Sequence, residues 1–398
     1  MKKLETPRAN RLHIGIFGRR NSGKSSLINA ITHQEAALVS DIAGTTTDPV
    51  YQPMELHGIG PCVFIDTAGF DDTGELGAMR VRQTMRALAK TDVALLVCTD
   101  GEIDEELRWN DRLKAAGIPV VWMLNKADLL PDSAVTARAI ERKCGRLPLI
   151  VSAVTGEGID AVRHAIAGQL PDETMRRGII GDLAGDGDTV LLVMPQDLQA
   201  PKGRLILPQV QTLRELLDKR CLVMCCTTDR LGDMLQAMAA PPRLIITDSQ
   251  VFKTVYGLKP AESRLTSFSV LFAQYKGDID YFIEGAEAIG RLTEHARVLI
   301  AEACTHAPLA EDIGREKIPA LLRKRVGQGL QVEVVSGTDF PDDLSPYDLV
   351  IHCGACMFNR KYVLHRIAQA KAQQVPMTNY GVAIAWLAGI LDRLTIAR

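Results

Sequence analysis

The chain has 398 residues, 46% of them apolar and 24% charged, with a formal net charge of −2. That length exceeds one ordinary hydrophobic core, so two or three domains are expected, and the near-neutral balance excludes the global basic field of a typical nucleic-acid binder. The charged N-terminus (Lys2, Lys3, Glu5, Arg8) lacks the apolar stretch of a signal peptide, and the most apolar run, 382–391, is too short to span a bilayer, so a cytoplasmic protein with no membrane contact is expected.

Apolar runs bounded by turn residues alternate with helical patterns from end to end, the signature of parallel sheets crossed by helices. Strands are expected at 12–17, 62–66, 93–98, 120–124 and 149–151, forming a first unit. After Leu170-Pro171, the Gly- and Asp-rich stretch 178–188 reads as a linker. A second, small unit follows, with strands at 190–194, 222–226 and 243–247 and helices at 209–219 and 231–239. It ends near Pro260 and carries no motif with chemistry, so dimerisation or spacing is its default role. A third unit opens at about Arg264, with strands at 298–301, 332–335 and 349–352. The fold class is α/β, with three α/β domains of largely parallel sheets at 1–172, 173–262 and 263–398.

The first domain reads as a P-loop GTPase fold. Gly18-Arg19-Arg20-Asn21-Ser22-Gly23-Lys24-Ser25 fits the phosphate-loop pattern, follows an expected strand and opens an apolar helix through Ser26. Such a loop wraps phosphates with backbone N–H groups, while Lys24 reaches the β- and γ-phosphates and Ser25 ligates Mg2+. Asp66-Thr67-Ala68-Gly69 places a carboxylate for a magnesium-bound water and a glycine N–H that senses the γ-phosphate. In Asn125-Lys126-Ala127-Asp128, Asp128 can accept two hydrogen bonds from guanine that adenine cannot donate. Ser152-Ala153 suits backbone contact with the guanine carbonyl. Between these motifs, Gly44-Thr45-Thr46-Thr47-Asp48 is a switch-type segment whose Thr46 would complete the magnesium shell, making Lys24, Thr46, Asp66 and Gly69 the catalytic set. Phe70 stands where a water-orienting glutamine would serve hydrolysis, and Asp71 and Asp72 are weak substitutes, so GTP turnover is expected to be slow and regulatory.

This spelling resembles the tRNA-modification and Era branch of GTPases. The resemblance implies a K+ ion in place of an arginine finger, with Asn21 as its ligand.

Nine cysteines in a reducing compartment leave burial or metal binding to explain them. Cys62, Cys98, Cys144, Cys221, Cys225 and Cys226 lie mostly in apolar runs and read as core. The histidines at 13, 33, 57, 164, 295 and 365 read as surface or cap residues. Cys304-Thr305-His306 and His352-Cys353-Gly354-Ala355-Cys356 are different, because each group falls just beyond an expected parallel strand, at the sheet edge where ligands gather. Three readings compete there: a structural zinc site using His306 or His352, a redox pair at Cys353 and Cys356, and a 4Fe-4S cluster on Cys304, Cys353 and Cys356 with one iron open to a weaker ligand. Glu311, Asp312, His306 and His352 are candidates for that fourth position, and the two histidines can equally serve as hydrogen-bond donors behind it.

A GTPase of this type, a middle α/β unit and this Cys/His pattern together resemble the FeFe-hydrogenase maturation GTPases over nearly the whole chain. The resemblance implies a scaffold that receives a di-iron subcluster precursor made with two radical S-adenosylmethionine enzymes and delivers it to apo FeFe-hydrogenase. It also implies a homodimer joined through the middle domain, or a tetramer. The competing class is a tRNA-modification or ribosome-assembly GTPase with a structural zinc, although no RNA-binding domain is legible.

Overall fold

In the computed structural model the chain is described at residues 11–32, 50–56, 60–69, 83–169, 178–195, 205–302, 313–337, 339–355 and 358–397. It divides into two units, Met1–Met175 and Arg176–Arg398. The first is built on six strands: β1 (Leu12–Gly18), β2 (Val50–Leu56), β3 (Gly60–Asp66), β4 (Val93–Cys98), β5 (Val120–Leu124) and β6 (Leu149–Ile150), in the order β2-β3-β1-β4-β5-β6. All neighbours are parallel except β2, which pairs antiparallel with β3. The central strands are apolar along their whole length because helices cover both faces. On one face α1 (Lys24–Thr32) and α4 (Ile159–Gly168) bury Leu27, Ile31, Val162 and Ile166. On the other, α2 (Asp104–Ala115) and α3 (Ser133–Cys144) bury Trp109, Leu113, Ala137 and Ile140.

Local chemistry sets the helix ends. α2 begins on Asp104, Glu105 and Glu106 and ends on Arg112 and Lys114, charges that complement its dipole. α3 is capped by Asp132, which accepts from the Val135 N–H, and stops at Gly145 in the left-handed region.

The second unit holds two four-stranded parallel sheets. One comprises β7 (Thr189–Val193), β8 (Leu222–Cys226), β9 (Leu244–Thr247) and β10 (Arg264–Ser267) in the order β10-β9-β7-β8. The other comprises β11 (Arg297–Glu302), β12 (Gln331–Ser336), β13 (Leu349–His352) and β14 (Met377–Asn379) in the order β12-β11-β13-β14. β10 lies beyond residue 262 and pairs with β9, so the middle sheet runs further along the chain than the sequence suggests. One face of that sheet is covered by α5 (Leu207–Asp218) and α8 (Phe268–Lys276), through Leu216, Phe268, Leu271 and Phe272. The other face carries α6 (Leu231–Ala237) and α7 (Phe252–Leu258), and its core runs without interruption into that of the third sheet. α8 feeds both cores, since its Val270 and Ala273 belong to the second. Around the third sheet lie α9 (Ile279–Glu287), α10 (Ile318–Val326), α11 (Arg360–Ala372) and α12 (Tyr380–Leu387), the last taking up the first part of the apolar run 382–391.

Cys62, Cys98 and Cys221 are buried as expected, whereas Cys225 is exposed because β8 is an edge strand with one face outward. His13 is not a surface residue: it is buried in β1, its Nδ1 2.9 Å from the Arg11 carbonyl oxygen. Among the described residues no helix is long and apolar enough to cross a membrane.

Candidate nucleotide and cysteine sites

The phosphate loop leaves β1 at Gly18 and enters α1 at Lys24. Two residues in it take positive φ, Asn21 at 58° and Gly23 at 85°. Gly23 admits no side chain, since a Cβ there would collide with the Asn125 amide nitrogen. Asn125, at the end of β5, is buried and joins two loops: its Nδ2 donates to the Ser22 carbonyl at 2.8 Å, and its Oδ1 accepts from the Ala153 N–H at 3.3 Å. Lys126 adopts the left-handed conformation, turning the chain so that Asp128 stands exposed. The Ser152 hydroxyl donates to Asp128 Oδ1 at 2.6 Å, which fixes one carboxylate oxygen and leaves the other for a base. Thus the phosphate-loop, base-reading and Ser152-Ala153 segments converge at one sheet edge.

The magnesium side is equally assembled. Asp66, the last residue of β3, is buried, and its Oδ2 accepts from the Ser25 hydroxyl at 2.6 Å. Burial raises its carboxyl pKa, opposed by the Ser25 hydrogen bond and by Lys24. Asp66 Oδ1 and Ser22 Oγ are buried with no hydrogen-bond partner, as expected of groups that serve a hydrated cation and phosphates. Lys24 Nζ donates to the carbonyls of Gly18 and Arg19 at 3.0 and 2.8 Å, folded over the loop it would share with a nucleotide. Gly69 lies against the same loop, where a Cβ would stand 2.7 Å from the Arg20 nitrogen. Ser26 follows in the first turn of α1; Thr46, in the switch segment, lies outside the described residues.

Sequence reasoning missed a clamp beneath this loop. Arg19 Nε donates to Glu106 Oε1 at 2.7 Å and its Nη2 to Asp100 Oδ1 at 2.8 Å. The Glu106 side chain is 0% exposed and its second oxygen has no partner. Glu106 reads from sequence as one of three acids opening a helix, a pattern that ordinarily means solvent.

In the third sheet, Ala301 of β11 is in register with His352 of β13. β11, which precedes Cys304 in sequence, and β13, which precedes Cys353, therefore end at the same sheet edge. Cys353 is half-buried, its N–H donates to the Ala301 carbonyl at 3.0 Å, and its Sγ accepts from the Ala355 N–H at 3.4 Å. Ala355 has φ 47°, unusual for a residue with a side chain. His352 is 1% exposed and both ring nitrogens are engaged, Nδ1 2.7 Å from the Cys353 carbonyl and Nε2 2.9 Å from Arg366 Nη1. Because arginine can only donate, Nε2 accepts and Nδ1–H donates, so the imidazole is neutral. Burial and the Arg366 charge together lower its pKa to about 3. Arg366 is itself buried, donating also to the Gly337 carbonyl and the Tyr362 hydroxyl, both at 2.7 Å. Cys304, His306, Glu311, Asp312 and Cys356 lie outside the described residues, and no cluster of metal-ligating side chains occurs among the described ones.

Residues 179–277 match the Hydrogen maturase F dimerization domain, and residues 280–396 match the Hydrogen maturase F tetramerization domain. Together they span more than half of the chain. The chain belongs to the hydrogen maturase F family. Residues 13–126 match the 50S ribosome-binding GTPase family. This hydrogen maturase F chain thus joins a GTPase-family domain to domains of the dimerization and tetramerization families. Over its GTPase part it is 40% identical to the tRNA modification GTPase MnmE of Rhodospirillum rubrum across 156 residues, 39% of this chain and 32% of that one. The MnmE of Listeria welshimeri is 37% identical over 160 residues, 39% of this chain and 34% of that one. The chain spans about a third of the length of these curated relatives. A crystal structure of Era with MgGDPNP and a segment of 16S ribosomal RNA is 18% identical, with a TM-score of 0.37, covering 57% of this chain and 97% of that one.

Proposed function

We propose that this GTPase is a scaffold that holds a 4Fe-4S cluster on Cys304, Cys353 and Cys356 and carries the di-iron subcluster precursor to apo FeFe-hydrogenase. The observation that supports the reading is the register of β11 with β13, which ends the strands preceding Cys304 and Cys353 at one sheet edge. The donor chemistry fits: Cys353 is half-buried and already accepts a backbone N–H, the kind of hydrogen bond that stabilises a cluster-bound thiolate. With three thiolates, one iron keeps an open coordination position at which cargo can be anchored. His352, with both nitrogens occupied, acts behind the thiolates by fixing the Cys353 carbonyl. Glu311, Asp312 and His306 are left as the candidates for the fourth, exchangeable ligand.

Nucleotide state then regulates partner exchange. Hydrolysis is slow, since Phe70 cannot orient water, and is stimulated by K+ held at Asn21, which stands exposed at the rim of the phosphate loop. The protein works as a homodimer or tetramer in the cytoplasm, loaded by two radical S-adenosylmethionine enzymes. The test is transfer: wild-type protein loaded with precursor should confer hydrogen production on apo FeFe-hydrogenase, and Cys304→Ser, Cys353→Ser or Cys356→Ser should abolish it while GTP hydrolysis persists. Wild-type levels of transfer by the three variants would refute the scaffold reading.

A further inference from the structure

Lys276 closes α8, the last helix within the dimerization-domain match, yet it is only 2% exposed. From sequence it is an ordinary helix-end lysine ahead of Gly277, where a cation suits the dipole and usually reaches water. In the structure its Nζ donates to the Ala355 carbonyl at 2.8 Å and to the Phe358 carbonyl at 2.9 Å, and sits 5.8 Å from the Phe272 ring centre. The Ala355 carbonyl belongs to the peptide bond that leads into Cys356. Phe358 lies two residues beyond that cysteine. The neighbouring residue of the same helix end, Tyr275, accepts from Arg360 Nε at 3.1 Å. One helix end thus holds the chain on both sides of Cys356.

We infer that Lys276 is a positioning residue for the cysteine loop, linking the dimerization domain to the loop backbone around Cys356 and setting the charge environment of a thiolate-bound cluster there. This rests on the cluster reading above. Two observations carry it beyond ordinary packing. Ala355 is held at φ 47°, a conformation that costs energy for a residue with a Cβ and persists where surrounding contacts impose it. Lys276 pulls on the carbonyl of that same residue, while Cys353 N–H is tied to β11 on the other side. Burying an ammonium is also expensive, so stability alone would favour an apolar or amide side chain here. Beside a cluster the charge has a use, because a nearby cation favours the more reduced, more negative state and tunes its potential. The dimerization domain reaches the backbone on both sides of Cys356 directly, through Lys276.

The test uses the full-length chain, anaerobically reconstituted with iron and sulfide, in wild-type form and as Lys276→Met, Lys276→Gln and Lys276→Arg. Circular dichroism checks folding, a ferrous chelator measures the rate of iron extraction, and paramagnetic resonance during a redox titration reads the potential. Lys276→Met should lose iron faster, on the order of tenfold or more for the loss of its two charge-assisted hydrogen bonds to the loop, and should titrate at lower potential. Lys276→Arg should restore the wild-type potential. Lys276→Gln keeps N–H donors without charge, so it should hold iron and still titrate low. A folded Lys276→Met with wild-type extraction rate and potential overturns the inference. Should Lys276→Met fail to fold, a wild-type potential in Lys276→Gln overturns it equally. A wild-type chain that binds no iron and sulfide would instead remove the cluster reading itself.

Discussion

Replacing Arg19 by Met tests whether the phosphate loop is braced from below. The substitution removes two charge-assisted hydrogen bonds, to Glu106 and Asp100, and strands a carboxylate whose side chain is 0% exposed. Breaking a fully buried ion pair from one side costs about 3–5 kcal/mol. Arg19 is 26% exposed and Asp100 48% exposed, so water screens part of the interaction and about 2–3 kcal/mol is the better expectation. With a urea dependence of roughly 2 kcal/mol per molar for a domain of this size, the midpoint should fall by about 1 M. Trp109 and Trp122 both lie in the first unit, two of the chain's three tryptophans, so fluorescence follows this unit well. Nucleotide affinity should fall with it, because GTP must then order the loop. Glu106→Gln keeps an acceptor for Arg19 and should cost less than Arg19→Met. A midpoint within about 0.2 M of wild type in Arg19→Met, about a fifth of the expected shift, would show that the clamp is incidental.

Lys24→Ala should reduce GTP turnover by on the order of a hundredfold or more, read as kcat with nucleotide binding measured separately. Asp128→Ala removes the acceptor for two guanine donors and should weaken GTP by about two orders of magnitude in calorimetric titration, with no loss for ATP. Asn21→Ala should abolish stimulation of hydrolysis by K+ over Na+, leaving the basal rate in place. Burial pushes the Cys62 and Cys98 thiols up to about 12, so at pH 8 only about one in ten thousand is thiolate. Alkylation followed by mass spectrometry should therefore modify exposed Cys225 first and reach Cys62 and Cys98 only after denaturation.

Much of the candidate nucleotide site is legible in the sequence because its parts are short motifs read at strand ends. Gly18 to Ser26, Asp66, Gly69, Asn125, Asp128, Ser152 and Ala153 meet at one sheet edge because parallel strands deliver their C-terminal ends together. The bridge from Asn125 to Ser22 spans 103 residues of sequence and could not be read from either motif alone. β2 escaped notice because it is an edge strand carrying Pro53 and polar residues, lacking the continuous apolar run of a central strand. β10 and β14 are four and three residues long, too short for periodicity to speak. Arg366 and Lys276 were invisible for another reason. A charged residue on a helix reads as solvated unless something outside the helix buries it; for Lys276 that is the backbone at Ala355 and Phe358, and for Arg366 it is His352 and the Gly337 carbonyl.

The decisive measurement is anaerobic iron–sulfur reconstitution of the full-length protein, followed by metal and sulfide analysis and electron paramagnetic resonance of the reduced sample. About four irons and four sulfides per chain, with a reduced-cluster signal lost in Cys304→Ser, Cys353→Ser and Cys356→Ser, is the expected result. Tightly bound zinc with no such signal would contradict it, leaving a GTPase whose cysteines serve a structural metal.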